Sequence, residues 1–379
     1  MERFFSGIII LAVVLSCTGV EPAVEDISED KTVSDEPPEI MLAVTIDYGF
    51  FDRWYRSVSD DIPSIIQCES LVPEQKFNIL VFAADYEMEN KHVSLNYDLR
   101  VTAPDNTVYV NKTGLTLMDR DTDDVYLLLA DDIITGSFEL SDLYGEYEIR
   151  VTVYDNIKKL SAAVSKKIEF AESKEGADFS SYDSYTAWMH GYYDNPEPER
   201  SLKGIRFFAE KYSATDENIF EEASGFYSEI ISSNLYLIED VAEEFGSYNM
   251  QTKLFLINLF YRMNNEKAEL FLEGLDENDR EIYDSIIMFS RDTDQSMDLN
   301  YVNYLWGGFF ASAKYEYILS LVNCTDPAIT DLKLSEAALQ SVYDNSMKYS
   351  LVKSYCRYIY MYEDVSQTVR DNLEVILDS

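Results

Sequence analysis

The stretch Trp188-Met189-His190-Gly191-Tyr192-Tyr193-Asp194-Asn195-Pro196-Glu197-Pro198-Glu199 gathers residue types that could do chemistry. An imidazole titrates near neutral pH, so His190 beside Asp194 could serve as a general base, and Trp188, Tyr192 and Tyr193 could stack on a sugar or a peptide. The same residues also suit a helix junction. Gly191 can end one helix, Asn195 can cap the next, Pro196 fits a first helical position and Glu197 complements the helix dipole. The junction carries more weight, because Trp and Tyr routinely fill such joints. Elsewhere the acidic residues, 70 in all, supply many pairs that mimic a glycosidase acid and nucleophile, but that chemistry depends on separations that a sequence does not give. Residues 119–124 (DRDTDD) and 291–298 (RDTDQSMD) look like pieces of calcium loops, yet each lacks the sixth-position glycine and the twelfth-position glutamate. The chain has no G-x-S-x-G elbow, phosphate-binding glycine loop or H-E-x-x-H, and no cofactor is implied.

The cysteines divide by position. His92 and His190 are the only histidines and the cysteine spacing fits no zinc pattern, so no transition-metal site is expected. Cys324 and Cys356 fall in the same half and could pair as a disulfide between neighbouring helices in an oxidising compartment, which leaves Cys68 alone. Cys17 closes an apolar run that extends from Phe4 to Leu15, interrupted by Ser6 and Gly7. A membrane-spanning helix needs about 20 mainly apolar residues, so this run reads as a leader. Val14-Leu15-Ser16-Cys17 resembles the lipobox of bacterial lipoproteins. That resemblance implies a signal peptide over 1–16, acylation of Cys17, a stable multi-chain lipid anchor and a place in the bacterial cell envelope. With Thr18, not Asp, after the cysteine, it implies the outer membrane if the host is Gram-negative. Residues 17–40 are acidic, contain three prolines and lack aromatics, which predicts a flexible tether.

At 379 residues, 46% of them hydrophobic, the chain can fill two ordinary domains. Its formal charge of −40 opposes phosphate backbones and anionic lipid, which excludes nucleic acid as the main partner. Basic proteins, cationic peptides and divalent cations are electrostatically allowed, although solubility alone also accounts for such a charge.

The period of the apolar residues then predicts two kinds of structure. Over 41–172 short alternating runs give candidate strands at 77–85, 93–103, 107–112, 124–130, 147–155 and 164–170, with a turn at Pro104-Asp105-Asn106. Val93, Leu95, Tyr97, Leu99 and Val101 alternate with polar residues, as in a half-buried strand. Six or seven strands in this span predict an antiparallel β-sandwich. Leu143, Gly145 and Tyr147 are spaced as in the tyrosine corner of immunoglobulin-like folds, with Ile149 where antibody domains carry cysteine, and this resemblance implies an immunoglobulin-like or fibronectin-like sandwich.

After a polar linker at 173–181 the period becomes helical, as in Leu202, Ile205, Phe208, Ala209 and Tyr212. Further helices are expected at 217–232, 234–245, 250–263, 279–290, 298–322, 331–345, 348–362 and 365–377. Their lengths and short polar breaks predict an all-α array or solenoid-like bundle over 182–379. Trp306-Gly307-Gly308-Phe309-Phe310 loosely resembles a Trp-x-x-Phe-Phe pattern of helical bacterial proteins of unknown function, which implies no activity. Tyr301, Tyr304, Phe309, Phe310, Tyr315, Tyr317, Tyr355, Tyr358, Tyr360 and Tyr362 crowd this half, so a partly exposed aromatic and acidic surface is an expectation.

These features point to a lipid-anchored envelope protein that contacts the membrane through its anchor and binds another protein through its helical half. An envelope glycan hydrolase built on His190 and Asp194, and a structural envelope component, are the competing readings.

Overall fold

The computed structural model describes residues 36–56, 63–122, 126–173, 176–211, 217–263, 265–292 and 298–378. The leader, Cys17 and the tether up to residue 35 lie outside the described residues, as do residues 123–124 of the first calcium-loop fragment and 293–297 of the second. Among the described residues no helix is long and apolar enough to cross a membrane.

Nine strands are described: β1 (Glu39–Thr45), β2 (Ser70–Leu71), β3 (Phe77–Ala84), β4 (His92–Thr102), β5 (Val108–Asp121), β6 (Leu128–Leu129), β7 (Ile134–Gly136), β8 (Gly145–Asp155) and β9 (Leu160–Phe170). A short helix, α1 (Phe50–Arg56), follows β1. Beyond β9 come α2 (Tyr182–His190), α3 (Ser201–Lys211), α4 (Glu217–Ser233), α5 (Tyr236–Glu244), α6 (Met250–Met263), α7 (Glu266–Glu273) and α8 (Glu277–Asp292). The last five are α9 (Leu299–Ser312), α10 (Tyr315–Asn323), α11 (Leu332–Lys348), α12 (Ser350–Tyr362) and α13 (Gln367–Leu377). A sheet-rich region is thus followed by a helical one.

The strands form two sheets. In the first, β3 pairs antiparallel with β1, β6 and β7; the second runs β2-β9-β8-β4-β5. Leu42, Val44, Ile79 and Val81 of the first sheet share one buried cluster with Val93, Leu95, Tyr97, Leu99 and Val101 of β4 and Ile149, Val151 and Val153 of β8. The alternation in β4 therefore does what its period requires, with one face buried. Strand β3 is buried on both faces, since Leu80 and Phe82 pack outward against Phe50 and Trp54 of α1. The Tyr147 hydroxyl bonds back to the Leu143 backbone, and Gly145, at φ 132, lies against Pro104.

Several boundaries differ from the sequence reading. β1 starts at Glu39, inside the stretch read as tether, and β5 extends to Asp121 through register shifts against β4 that mark bulges. The helix expected from Pro196 instead begins with a 3-10 turn at Pro198–Arg200, with Asn195 ending the preceding turn. The long helix expected over 298–322 is two helices, broken at Ala313, which adopts the left-handed conformation at φ 52. That conformation strains a residue with a Cβ. Its carbonyl accepts from the Tyr355 hydroxyl at 2.9 Å, and its own N–H donates to the Phe309 carbonyl at 2.7 Å. Within the expected linker, Phe179 packs its ring on Tyr185 and Trp188.

The two regions are joined by polar contacts. The Tyr48 hydroxyl donates to the carbonyls of Lys76 (2.7 Å) and Ser233 (3.2 Å), and the Lys76 N–H donates to the Ser233 carbonyl. Gln75 Nε2 donates to Asn234 Oδ1 at 3.1 Å, both side chains being buried. Lys267 of α7 pairs with Glu74, and Asp52 of α1 accepts from the Tyr315 N–H at 3.0 Å. The Arg56 guanidinium lies 4.9 Å over the Tyr315 ring. Strand β1 thus runs from a far end, where Glu39 faces Ala84 and Lys158 donates to the Glu36 carbonyl, to the end where the helices dock.

Within the helical region α4 and α9 meet backbone to backbone. A Cβ on Gly225 would collide with the Tyr304 carbonyl, and one on Gly307 with the Glu222 carbonyl. Asn234, 2% exposed, lies just past the end of α4 and also donates to the Ile230 carbonyl at 2.8 Å. Asn234→Ala strands the buried Gln75 amide, so we expect a loss of about 1–3 kcal/mol in urea unfolding. A double-mutant cycle with Gln75→Ala should return a coupling energy between the two positions, and strictly additive losses would show the contact to be immaterial.

Candidate functional site

The cluster at 188–199 is a junction. Trp188, Tyr192 and Tyr193 are buried in the main helical core, with Trp188 against Phe226 (5.1 Å between centroids) and Tyr193 against Phe309 (5.6 Å). They are therefore not available to stack on a ligand at the surface, which corrects the binding role expected of them. Gly191 ends α2, as expected, by donating its N–H to the Ala187 carbonyl. His190 does not bond Asp194. Its Nε2 lies 3.0 Å from Glu222 Oε1 on α4, and its ring packs 4.3 Å from Phe310 on α9. Asp194 instead faces Arg53 of α1, and desolvation raises its carboxyl above the ordinary range against the pull of that guanidinium. Beside Tyr48, Tyr192, Tyr193 and Asp47 the space amounts to a cavity of about 10 Å³, room for one water and not for a sugar ring.

Cys324 and Cys356, which could pair in an oxidising compartment, are not joined in this structure. Cys324 at the end of α10 and Cys356 in α12 are separate buried thiols, and Cys68 is also free. Burial pushes Cys324 up to about 11 and Cys356 up to about 12, which holds both protonated, whereas disulfide chemistry requires the thiolate. Of the aromatic set, Phe309, Phe310, Tyr315 and Tyr355 are core, Tyr358 and Tyr360 are half-buried, and Tyr362 is exposed.

A different place has the shape of a site. A cleft of about 210 Å³ opens between α3 and α5, lined by Ser173, Glu199, Leu202, Lys203, Arg206, Leu237, Asp240, Glu243 and Glu244. Leu202 and Leu237 supply apolar walls. The two cations on its lining are already engaged: Arg206 pairs with Glu244 and stacks 5.0 Å over Tyr248, and Lys203 lies 3.1 Å from Asp178. Among the described residues, Glu199, Asp240 and Glu243 form no ion pair with lysine or arginine. Asp240 is accordingly pushed up to about 6, first by burial and then by Glu243, Glu244 and Glu239. Glu199 is raised as well, by burial and then by Glu197, with Arg200 opposing.

Nothing in the residue pattern singled out this cleft. Glu199 and Asp240 are far apart in a chain crowded with carboxylates, and their meeting depends on α3 lying along α5. The available signal was local: α5 carries Glu239, Asp240, Glu243 and Glu244, four acids in one short helix with no basic residue to offset them.

Two outcomes follow. A carboxyl whose folded pKa exceeds its unfolded value binds an extra proton only when folded, so this group costs stability as pH rises through about 6. Asp240→Asn should therefore raise the melting temperature at pH 7.5 and leave it unchanged near pH 3.5; an equal shift at both would refute the electrostatic origin. His190→Ala, which removes a ring from between Glu222 and Phe310, should cost about 1–2 kcal/mol in chemical unfolding, and an unchanged midpoint would show that the contact does not support the fold.

Among known proteins, no family model matches the chain and no curated protein matches it. Solved structures give distant likenesses. One is the CARDB domain of a Pyrococcus furiosus protein in complex with di-metal ions, 12% identical, covering 38% of this chain and 100% of that one, with a TM-score of 0.19. Another is a family 123 glycoside hydrolase from Clostridium perfringens, 8% identical, covering 48% of this chain and 36% of that one, with a TM-score of 0.23. Neither likeness, at a TM-score below 0.5, bears on what this chain binds or does.

Proposed function

We propose that this chain is a lipid-anchored protein of the bacterial envelope that presents its helical region to a protein partner. The observation that carries the reading is the direction of β1. The described chain enters at Glu36 and Glu39, at the end of the sheets away from the helices, and β1 delivers it over about 20 Å to the end where Tyr48, Gln75 and Asp52 hold the helical region. An anchor on Cys17 would therefore leave the helices on the far side of the sheet region from the membrane, with the tether adding reach. The lipobox-like Val14-Leu15-Ser16-Cys17 and the acidic, proline-containing stretch after it supply the other half of the reading.

The sheet region is an immunoglobulin-like sandwich in this reading. Support comes from the two sheets that share one buried cluster and from the Tyr147 hydroxyl bonded back to Leu143, as in a tyrosine corner. The hydrolase reading loses its motive, because His190 pairs with Glu222 and the rings around it are core.

Cys17→Ala should abolish incorporation of labelled palmitate and move the protein from the membrane fraction to the soluble fraction. If the variant sediments with membranes as before, the anchor is elsewhere. Crosslinking in intact cells should join the wild-type chain to one recurrent envelope protein, and recovery of the uncrosslinked chain alone would count against a binding role.

A further inference from the structure

Helices α6 and α12 have an unusual composition for this chain. Among the described helices they alone combine two cations with no acidic residue, although 70 of the 379 residues are acidic. In α6 both cations are neutralised from neighbouring helices, Lys253 by Asp279 of α8 and Arg262 by Glu221 of α4. In α12 neither is: among the described residues Lys353 and Arg357 form no ion pair with a carboxylate. Asp344 and Glu363, which flank α12 in the chain, are held by neutral donors instead. Asp344 accepts from Gln340 Nε2 at 2.9 Å, and Glu363 accepts from the Tyr315 hydroxyl at 2.8 Å.

The two cations lie on the solvent side of α12. Val352, Tyr355, Cys356 and Ile359 are buried on the other side, whereas Arg357 is exposed and Lys353 half-buried. Positions 353, 357 and 361 follow one another at intervals of four, so they form one stripe of about 12 Å along the helix. It ends on Met361, 52% exposed. Lys348, exposed at the end of α11 and also without an ion pair among the described residues, adds a positive charge at the turn into α12. A positive stripe ending on an exposed methionine thus stands on a chain of formal charge −40.

We propose that this stripe docks an acidic helix of a protein partner, two carboxylates one turn apart against Lys353 and Arg357 and an apolar side chain against Met361. The inference rests on the reading of the helical region as the binding part and names the chemistry of its partner. Charge selects the occupant. The formal charge repels anions over most of the surface, so an acidic partner is received at the stripe and turned away elsewhere. Spacing selects its form, because a helix repeats acids four residues apart at ~6 Å, the same rise that separates Lys353 from Arg357. Methionine is flexible and polarizable, and so adapts to apolar partners of different shape. An anionic membrane fits less well, since basic clusters that hold such a surface contain about four to eight Lys or Arg.

The test is a titration of the full-length protein in non-ionic detergent, followed by fluorescence anisotropy. The probe is an alanine-based helical peptide with two glutamates four residues apart, a leucine four residues further on and a neutral fluorophore; its control carries glutamines for the glutamates. We expect saturable binding of the acidic peptide at low salt and none of the control. Binding should be at least tenfold weaker in Lys353→Gln/Arg357→Gln and stay within threefold in Lys353→Arg/Arg357→Lys, which separates lost charge from a lost fold. No binding at low salt, binding by Lys353→Gln/Arg357→Gln within twofold of wild type, or equal binding of the control would each overturn the site. Attachment of the Cys17→Ala protein to phosphatidylglycerol vesicles, lost in the added presence of Lys353→Gln/Arg357→Gln and unaccompanied by peptide binding, would replace the protein partner by a membrane. Crosslinking to a recurrent envelope protein that persists in Lys353→Gln/Arg357→Gln would leave the helical region as the binding part and remove this stripe from it.

Discussion

The contact on which the rest of the helical region depends is the meeting of α4 and α9. Where Gly225 and Gly307 remove the side chains, the two backbones come together, and a single methyl at either position would strike a carbonyl of the other helix. With that crossing set, Glu222 on α4 is carried to His190 on α2, and Glu229 to Lys314 and Tyr317 at the start of α10. The end of α4 then presents Ser232, Ser233 and Asn234 to Lys76, Tyr48 and Gln75 of the sheet region. One helix thus positions both the aromatic junction and the joint with the sheets.

Charge is allocated unevenly along that frame. The chain has 30 basic residues for 70 acidic ones, so most carboxylates must face water or each other. At the joint, acids are neutralised: Asp47 by Arg53, Glu74 by Lys267, and Glu229 by Lys314. Desolvated ions there would otherwise oppose docking. In the cleft between α3 and α5 Arg206 neutralises Glu244 and Lys203 is directed to Asp178, while Glu199, Asp240 and Glu243 form no ion pair with lysine or arginine among the described residues. The contrast marks a fold that secures its own seam and leaves elsewhere a local field that a cation would relieve.

Much of the architecture was legible in the sequence because period survives without partners. Val93 to Val101 announced β4, and the spacing of Leu202, Ile205 and Phe208 announced α3. What was hidden depended on contacts between distant residues. Ala313 breaks a helix with no glycine or proline beside it, because Tyr355, far along the chain, takes its carbonyl. His190 was paired in expectation with its neighbour Asp194, but α4 brings Glu222 closer. In the pattern from Trp306 to Phe310 the rings are conspicuous, whereas the glycines between them, Gly307 against the Glu222 carbonyl and Gly308 against the Tyr317 ring, set the geometry. The cleft was illegible for the opposite reason: where every segment is acidic, no acid is conspicuous.

The direction of β1 has a mechanical consequence. A pull on the amino-terminal end of the described chain, away from the helices, acts along the axis of β1 against β3, its antiparallel partner over seven residues from Glu39 to Thr45. Such a load is a shear, resisted by all the cross-strand hydrogen bonds at once, whereas a pull across the strand would open them one after another. Beyond Thr45 the same line of force passes through Tyr48 and Asp52 into the helical region, whose joints with the sheets would have to yield together. The chain is therefore strung so that tension between the start of β1 and the helical region is carried along the strand, in shear against β3, and then through the joints at Tyr48 and Asp52.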